Sequence, residues 1–200
     1  MIRRAVDIGV STALLVLASP VLVAAVVAIR LESRGSAIYR QRRVGLHGRP
    51  FEVIKLRTMV TGAERIGAGL AIDTDDPRIT RVGALLRRTS LDELPNLLNV
   101  LRGEMSLIGP RPTLAGQVAT YTPRQRGRLA VRPGITGWAQ VNGRASLPWS
   151  ERIELDLDYI ERRSLALDLR IVWRTVAIVL GGSGLYKGES GGWKEAGKDG

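Results

Sequence analysis

The chain has 200 residues, of which 44% are hydrophobic, a size that suits one domain. Thirty Lys and Arg against 19 Asp and Glu give a net charge of +11, and 26 of the 30 cations are Arg. This excess predicts a partner that carries phosphate: a nucleotide, an anionic lipid or a nucleic acid. The absence of Cys and the single His exclude disulfides, thiolate catalysis and sites built on Cys or His, so a bound metal must have oxygen ligands, which favours Mg²⁺.

The aromatic content argues against nucleic acid as that partner. Four Tyr, four Trp and one Phe are few for a protein that stacks bases. No basic strand interleaved with aromatic residues and no zinc-finger spacing is present. A nucleotide or a lipid phosphate is therefore the expected ligand.

An apolar run from Ile8 to Ile29 is 22 residues long, enough for a helix to cross a bilayer core of roughly 30 Å. A spanning helix usually concentrates its cations at one end, yet arginines flank this run on both sides. Pro20 lacks a backbone donor, and the hydroxyl of Ser19 can satisfy the carbonyl left free. We therefore expect residues 1–34 to form a re-entrant hairpin broken at Ser19 and Pro20, with a kinked spanning helix as the alternative.

Two short extended segments follow, Ala37 to Gln41 and Phe51 to Val60, and the glycine-rich stretch between them predicts a β-hairpin. Lys55 and Arg57 on the second segment suit either a solvated strand face or phosphate binding. His47 in the connection is expected to face solvent. Residues 61–77 are expected to form a surface loop, and Arg81 to Arg88 a short amphipathic helix.

The next segment, Ser90 to Pro112, holds two adjacent carboxylates, Asp92 and Glu93, among arginines that include Arg87 and Arg111. Carboxylates in a cationic neighbourhood are expected to stay ionised, and they can act as a nucleophile or as metal ligands while arginines hold a phosphate. The same residues also match a capping box, Ser90-x-x-Glu93, at the start of a helix. Both interpretations remain open from this segment alone.

Glycine and proline mark the end of that helix and the turns beyond it. Gly103 is expected to stop the helix, and the turn from Gly109 to Pro112 should hold Arg111 rigidly between two prolines. Thr113 to Leu129 is predicted to be helical, with an interruption or restart at Pro123. The stretch 132–144 is too rich in glycine for a helix and predicts a loop and short strand, with a hairpin turn at Asn142–Gly143 as an alternative. We expect it to bring together these candidate anion-binding residues: Arg132, Gln140, Asn142 and Arg144.

Two helices are predicted near the C-terminus, Trp149 to Arg163 and Leu165 to Leu180. The second is more apolar, and Trp173 with its neighbouring arginines suits a helix in the lipid headgroup layer, although burial in the core is an equal alternative. Residues 181–200 are rich in Gly and Lys and are expected to form a flexible tail.

Several motifs between Ser19 and about Leu180 resemble the monotopic phosphoglycosyl transferases, the bacterial sugar transferases that begin glycan assembly on a polyprenyl phosphate. The order of these motifs is specific to that family. They are Ser19-Pro20, Lys55-Leu-Arg-Thr-Met59, Leu86-Arg87, Ser90-Leu-Asp-Glu-Leu-Pro95, Asn99-Val-Leu-Arg-Gly-Glu-Met-Ser106, Gly109-Pro-Arg-Pro112 and Arg132-Pro-Gly-Ile-Thr-Gly-Trp-Ala-Gln-Val-Asn-Gly-Arg144.

The resemblance implies transfer of a sugar 1-phosphate from a UDP-sugar to undecaprenyl phosphate, with release of UMP and a requirement for Mg²⁺. Asp92 then matches the nucleophile that forms a phosphosugar–enzyme intermediate, and Glu93 the partner carboxylate, with Mg²⁺ held by this pair. Arg87, Arg111 and Arg144 are expected to contact phosphate or nucleotide. An N-acetylated amino sugar is the expected donor sugar, and a homodimer is compatible with the sequence.

The prediction as a whole is a mostly helical α/β protein on the cytoplasmic face of the inner membrane. Residues 1–34 form its re-entrant helix, and residues 35–180 a catalytic domain with a small β element and amphipathic interfacial helices. The alternative is a membrane-anchored protein without enzymatic activity that uses its arginines to bind anionic lipid or nucleic acid.

Overall fold

The computed structural model describes residues 2–66, 76–143 and 146–181. They form a mostly helical structure with two small sheets. The helices are α1 (Ile2–Glu32), α2 (Arg81–Arg88), α3 (Leu97–Arg102), α4 (Ala115–Ala119), α5 (Pro123–Arg126), α6 (Trp138–Val141), α7 (Trp149–Glu161) and α8 (Leu165–Gly181). The strands are β1 (Ile38–Val44), β2 (Pro50–Leu56), β3 (Ser106–Ile108) and β4 (Gly134–Thr136).

Helix α1 continues through Pro20, so the predicted break is not an interruption of the helix. The hydroxyl of Ser19 donates to the carbonyl of Val16 at 2.8 Å, which is the carbonyl that the missing N–H of Pro20 would leave free. This local satisfaction matches the role expected for Ser19. By length and composition α1 could cross a membrane, and most of its central residues are exposed.

Both ends of α1 pack on the same folded body. Near its start, Arg4 donates to the carbonyls of Val100 and Leu101 at the end of α3, at 2.6 and 2.9 Å. Asp7 accepts from the hydroxyl of Ser106 at 2.8 Å and from the amide of Leu107 at 3.0 Å. The N-terminal half of α1 is thus held by polar contacts with long-range partners.

The other end of α1 is held by apolar packing and by a cap. Ala25 and Ile29 belong to a buried cluster that also contains Leu56 of β2 and Leu86 of α2. Glu32 accepts from the first backbone amides of α2, those of Arg81 and Val82, at 2.8 and 3.0 Å. These amides lack partners inside their own helix, so the carboxylate satisfies them and joins the two helices.

The predicted hairpin is confirmed as the antiparallel pair β1 and β2, with Tyr39 opposite Lys55 and Gln41 opposite Val53. His47 in the connection is exposed and has a φ of 54°, as a loop residue can. The second sheet, β3 parallel to β4, places Ser106 beside Gly134 and Ile108 beside Thr136. The strand at 134–136 was expected, whereas its parallel partner was not.

Two expectations for the stretch 132–144 are wrong: that it contains no helix, and the alternative of a hairpin turn at Asn142–Gly143. Residues 138–141 form the short helix α6, and Gly143 follows it with a φ of 144°. Helices α2, α7 and α8 are confirmed, and so is the restart at Pro123, where α5 begins. Of the predicted loop and tail, residues 67–75 and 182–200 lie outside the described part of the chain.

Candidate active site

The segment that carries the two adjacent carboxylates is a 3-10 helix, Leu91–Asn96, which leads into α3. Pro95 near its end lacks the backbone donor of an α-helical turn, so distortion beside the carboxylates was expected. Gly103 ends α3 in the left-handed region, with a φ of 81°. The carboxylates therefore project from a short tight turn rather than from the first turn of a regular helix.

The capping-box interpretation is wrong for this segment. Ser90 has a φ of 56°, in the left-handed region, and its side chain makes no capping hydrogen bond. Only the backbone closes this turn, where the amide of Glu93 donates to the carbonyl of Ser90 at 3.2 Å. The side chain of Glu93 is consequently available for other partners.

Those partners are two cations from distant parts of the chain. Oε1 of Glu93 accepts from Nζ of Lys55 at 2.7 Å and from Arg111 at 2.6 Å, while Oε2 has only a long contact of 3.4 Å with Arg111. Burial disfavours the ionised form of this carboxylate, but Arg111 and Lys55 outweigh burial and hold the pKa of Glu93 well below its usual value. Glu93 is a fixed anion at neutral pH, as predicted.

Asp92 has different surroundings from its neighbour. No side chain of the described residues donates a hydrogen bond to its carboxylate. Burial and the negative charge of Glu93 raise the pKa of Asp92 to about 6, and the nearby Lys55, Arg87 and Arg111 lower it only in part. The expectation that cations alone would set its ionisation is corrected, because desolvation has the larger effect.

Lys55 stands on β2, and the antiparallel register places it opposite Tyr39. Burial and the charge of Arg111 lower the pKa of Lys55, whereas Glu93 and Asp92 raise it. Its ammonium therefore depends on the carboxylate pair to remain charged. Lys55 lies at the site, as the motif predicted.

Arg87 approaches from α2, which packs closely on the end of the hairpin. A Cβ on Gly83 would lie 2.0 Å from the carbonyl oxygen of Thr58, so glycine permits this approach. Nε of Arg87 donates to the hydroxyl of Thr58 at 2.8 Å. The guanidinium is thereby anchored at one nitrogen while its charge still acts on Asp92.

Arg43 is a further cation of the site, and sequence reasoning missed it. It lies on the same face of β1 as Gln41 and Tyr39, two and four residues away, and contacts the carbonyl of Pro112 at 3.4 Å. Burial and the neighbouring Arg111 lower the pKa of Arg43 to about 10. Residues 39–43 are all polar, so no alternation along β1 distinguishes Arg43 in the sequence.

Arg57 and Arg132 make structural contacts in the described part of the chain. The guanidinium of Arg57 donates to the carbonyls of Ser33 and Arg34 at 2.8 and 2.6 Å, just after α1 ends. Nε of Arg132 donates to the carbonyl of Gly103 at 2.8 Å. Phosphate binding by either residue stays a prediction.

The remaining residues of the glycine-rich stretch lie around α6. Nε2 and Oε1 of Gln140 are buried and have no partner among the described residues. Asn142 donates to the carbonyl of Trp138 and accepts from Arg174, each at 2.7 Å. Arg144 lies outside the described residues.

The described residues contain no group of three metal-ligating side chains. Mg²⁺ bound together with a substrate diphosphate needs only one or two carboxylates from the protein. Within the described part of the chain, Asp92 has no hydrogen-bond donor and Oε2 of Glu93 has only its long contact, so this pair fits such an ion.

A groove of about 550 Å³ occurs elsewhere, beside the hairpin connection and the helices after it. It includes none of the site residues named above. Its lining is Val44, His47, Gly48, Ala115, Val118, Ala119, Arg126, Leu129 and Ala130. The charged groups around Asp92, which form the candidate active site, therefore lie outside this groove.

Comparisons with known proteins agree on one family. The family described as bacterial sugar transferase matches residues 1–182. A protein of Bacillus subtilis named as an uncharacterized sugar transferase, EpsL, is 42% identical over 94% of this chain and 91% of its own length.

Two further relatives carry names that state a reaction. A UDP-glucose:undecaprenyl-phosphate glucose-1-phosphate transferase of Caulobacter vibrioides is 46% identical over 89% of this chain and 69% of its own length. A UDP-N-acetylgalactosamine-undecaprenyl-phosphate N-acetylgalactosaminephosphotransferase of Aeromonas hydrophila is 43% identical over 92% of this chain and 44% of its own length.

Proposed function

The chain belongs to the bacterial sugar transferase family, and from that premise we propose that it transfers a sugar 1-phosphate from a UDP-sugar to undecaprenyl phosphate. The observation that carries the proposal is the division of roles between the two carboxylates. Glu93 is held by Lys55 and Arg111, whereas Asp92 has no hydrogen-bond donor among the described residues and faces the same cations. An unengaged carboxylate beside fixed positive charge suits attack on a phosphate.

Asp92 is the proposed nucleophile. One of its carboxylate oxygens attacks the β-phosphorus of the UDP-sugar, and the bond from this phosphorus to the bridging oxygen breaks. UMP leaves with that oxygen, and the sugar phosphate stays on the enzyme as an acyl phosphate. A phosphate oxygen of undecaprenyl phosphate then attacks the same phosphorus, which releases Asp92 and forms the lipid diphosphate sugar.

The cations of the site are proposed to bind the phosphates of both substrates. The charges of Arg87 and Arg111 both act on Asp92, and Arg43 adds a third guanidinium next to Arg111. Among the described residues, Glu93 is the only carboxylate that pairs with any of these three guanidinium groups, through Arg111. Their uncompensated charge suits an anion with several phosphate oxygens.

Magnesium would be held by Asp92 and by Oε2 of Glu93, together with the donor diphosphate. When bound, it would screen the negative charge of the diphosphate from the attacking carboxylate. Arg111 and Lys55 keep Glu93 oriented for this purpose through Oε1. The protein's own part is to keep Asp92 unengaged and Glu93 ionised.

The second substrate is a lipid, and we propose that α1 and α8 bring the site to the membrane. Both ends of α1 contact the same body, through Arg4 and Asp7 at one end and Ile29 and Glu32 at the other. This arrangement supports a re-entrant helix that enters and leaves on the cytoplasmic face of the inner membrane. Such a monotopic topology also explains the arginines that flank the apolar run on both sides.

Helix α8 supports the same interface. It buries Ile171 and leaves an apolar surface exposed, where Leu169 is 70% and Trp173 77% accessible. Trp and apolar residues beside arginines are typical of helices that lie in the headgroup layer. We propose that this surface contacts lipid.

The donor sugar is proposed to be either an N-acetylated amino sugar, which the motif resemblance favours, or glucose. The relatives from A. hydrophila and C. vibrioides carry these two kinds of sugar in their names. The test is a set of UDP-sugars incubated with undecaprenyl phosphate and Mg²⁺, with UMP as the measured product. UMP formation that requires one of these donors supports the proposal.

Folded protein that forms no UMP from any common UDP-sugar would overturn it. The alternative, a membrane-anchored protein that binds anionic lipid without catalysis, predicts vesicle binding and no UMP. The same assay therefore separates the two functions.

A further inference from the structure

A second group of charged residues lies directly behind the turn that carries Arg111. The guanidinium of Arg128, which is 4% exposed, donates to the backbone carbonyl of Arg111 at 3.0 Å. The same guanidinium donates to the hydroxyl of Tyr121 at 2.6 Å and to Oδ2 of Asp156 at 2.6 Å. One buried side chain thus joins the Arg111 turn to the segment after α4 and to α7.

The Arg128–Asp156 pair is costly to bury. Its two side chains are 3% and 1% exposed, and Oδ1 of Asp156 is buried without a hydrogen-bond partner among the described residues. Desolvation raises the pKa of Asp156 against the attraction of Arg128. Because a buried ion pair is often no more stabilising than apolar side chains of the same volume, its presence here calls for a role other than stability.

The geometry of the Arg111 turn indicates that role. Proline on both sides fixes the φ angles of Pro110 and Pro112. The peptide plane between Arg111 and Pro112 still requires an anchor, and Arg128 supplies one at its carbonyl oxygen. With the backbone held there, the side chain of Arg111 reaches Oε1 of Glu93 at 2.6 Å.

Arg128 is itself held in place. Trp149 of α7 lies over its guanidinium, 5.3 Å from the ring centre. Asp156 projects from the same helix. The anchor therefore consists of two contacts from one regular helix and one from Tyr121.

We infer that Arg128, held by Asp156 and Tyr121, is a positioning residue that fixes Arg111 for binding the phosphates of the substrate. The effect of this positioning on catalysis rests on the proposed function. Arg128 touches no substrate in this account and acts only through Arg111. Small displacements of such a group can lower a rate by as much as about 10²-fold.

The test compares two tyrosines that each lose one buried hydroxyl. Tyr121→Phe removes a contact of Arg128. Tyr159→Phe removes a hydrogen bond of 2.8 Å from Tyr159 to Asp168, and both of these residues are distant in sequence from the Arg111 turn. We expect Tyr121→Phe to lower kcat/KM for the UDP-sugar about 10-fold, and Tyr159→Phe to change it less than about 2-fold. Thermal unfolding of both variants shows whether their losses of stability are similar.

A double-mutant cycle separates positioning from general damage. In an Arg111→Lys background the guanidinium fork is already lost, so Tyr121→Phe should lower kcat/KM less than about 2-fold further. A loss as large as in the wild-type background would overturn the inference. So would an equal loss of activity in Tyr159→Phe.

An equilibrium measurement keeps this inference distinct from the proposed function. Calorimetry with inorganic pyrophosphate should give weaker binding for both Tyr121→Phe and Arg111→Lys than for the wild type and Tyr159→Phe. If that pattern holds while the wild type forms no UMP, the transferase proposal fails and the positioning inference stands. If UMP forms but Tyr121→Phe binds pyrophosphate as the wild type does, the positioning inference fails alone.

Discussion

Asp92 and Glu93 are adjacent in the chain, yet the fold gives their carboxylates different surroundings. Glu93 bonds to Lys55 from β2 and to Arg111 from a proline-rich turn, whereas Asp92 receives no hydrogen bond from the described side chains. Placing two acids with different ionisation behaviour side by side is a recognised way to assign separate chemical roles. In this site Glu93 orients cations and Asp92 remains available to react.

The raised pKa of Asp92 predicts that the wild type and Asp92→Asn differ in folding stability by an amount that depends on pH. Its pKa rises from 3.8 to about 6, so the folded state holds the proton more tightly than the unfolded state. Stability therefore falls as the pH rises from about 4 to about 6, and the loss persists at higher pH. In Mg²⁺-free buffer, Asp92→Asn should have a higher Tm than the wild type at pH 7.5 and the same Tm near pH 4.

Asp158→Asn is the control for that experiment, because its partly exposed carboxylate pairs with Arg162 and with no other described cation. The same Asp92→Asn protein should form no UMP. A variant with unchanged Tm at both pH values would show that Asp92 is not held in a desolvated position.

For single residues, the sequence was most informative where they belong to long motifs. It identified Asp92, Glu93, Lys55, Arg87 and Arg111, and the structure brings these five together. It missed Arg43 because a polar residue on a strand has no distinctive spacing. The capping-box interpretation was wrong because Ser90 adopts a left-handed backbone conformation, which the sequence does not predict.

At the scale of elements, α1 combines an apolar middle with polar attachments near its start. The apolar run and the role of Ser19 beside Pro20 could be read from the sequence, since both are local. The attachment of Asp7 to β3 could not, because its partners are about a hundred residues away. The parallel pairing of β3 with β4 was also missed, because Ser106 and Gly134 are joined by a long connection that no local pattern spans.

The attachment at Asp7 predicts a measurable loss of stability. Asp7→Ala leaves the hydroxyl of Ser106 and the amide of Leu107 without an acceptor in a buried position. We expect this to cost about 1–3 kcal/mol of unfolding free energy. Asp158→Ala, which removes a partly exposed carboxylate paired with an exposed arginine, should cost less than about 0.5 kcal/mol.

Thermal unfolding in one detergent or nanodisc preparation would compare the two variants. Equal Tm values would mean that the N-terminal half of α1 is not held by Asp7 when the protein is in a lipid-like environment.

At the scale of the whole molecule, a lipid substrate and a soluble nucleotide must meet at one site. The proposed topology places both ends of α1 on one face of the membrane with the folded body. The chain has no Cys, so single cysteines report on this arrangement without background. Ile2→Cys and Ser36→Cys, at exposed positions, should both react with a membrane-impermeant maleimide from the cytoplasmic side only.

Leu17→Cys, in the exposed apolar middle of α1, is the matched control and should be protected from the reagent by lipid. Reaction of Ile2→Cys and Ser36→Cys from opposite sides would instead establish a spanning helix.

The central claim is a covalent sugar phosphate on Asp92, and the most direct measurement follows the β-phosphorus. Protein is incubated without lipid acceptor with a UDP-sugar that carries ³²P at the β-phosphate, and undecaprenyl phosphate is added afterwards. We expect UMP release together with stable labelling of the protein, then transfer of the label to lipid, and neither event in Asp92→Asn. Labelling of the Asp92→Asn protein, or UMP release that requires the lipid from the start, would contradict this account.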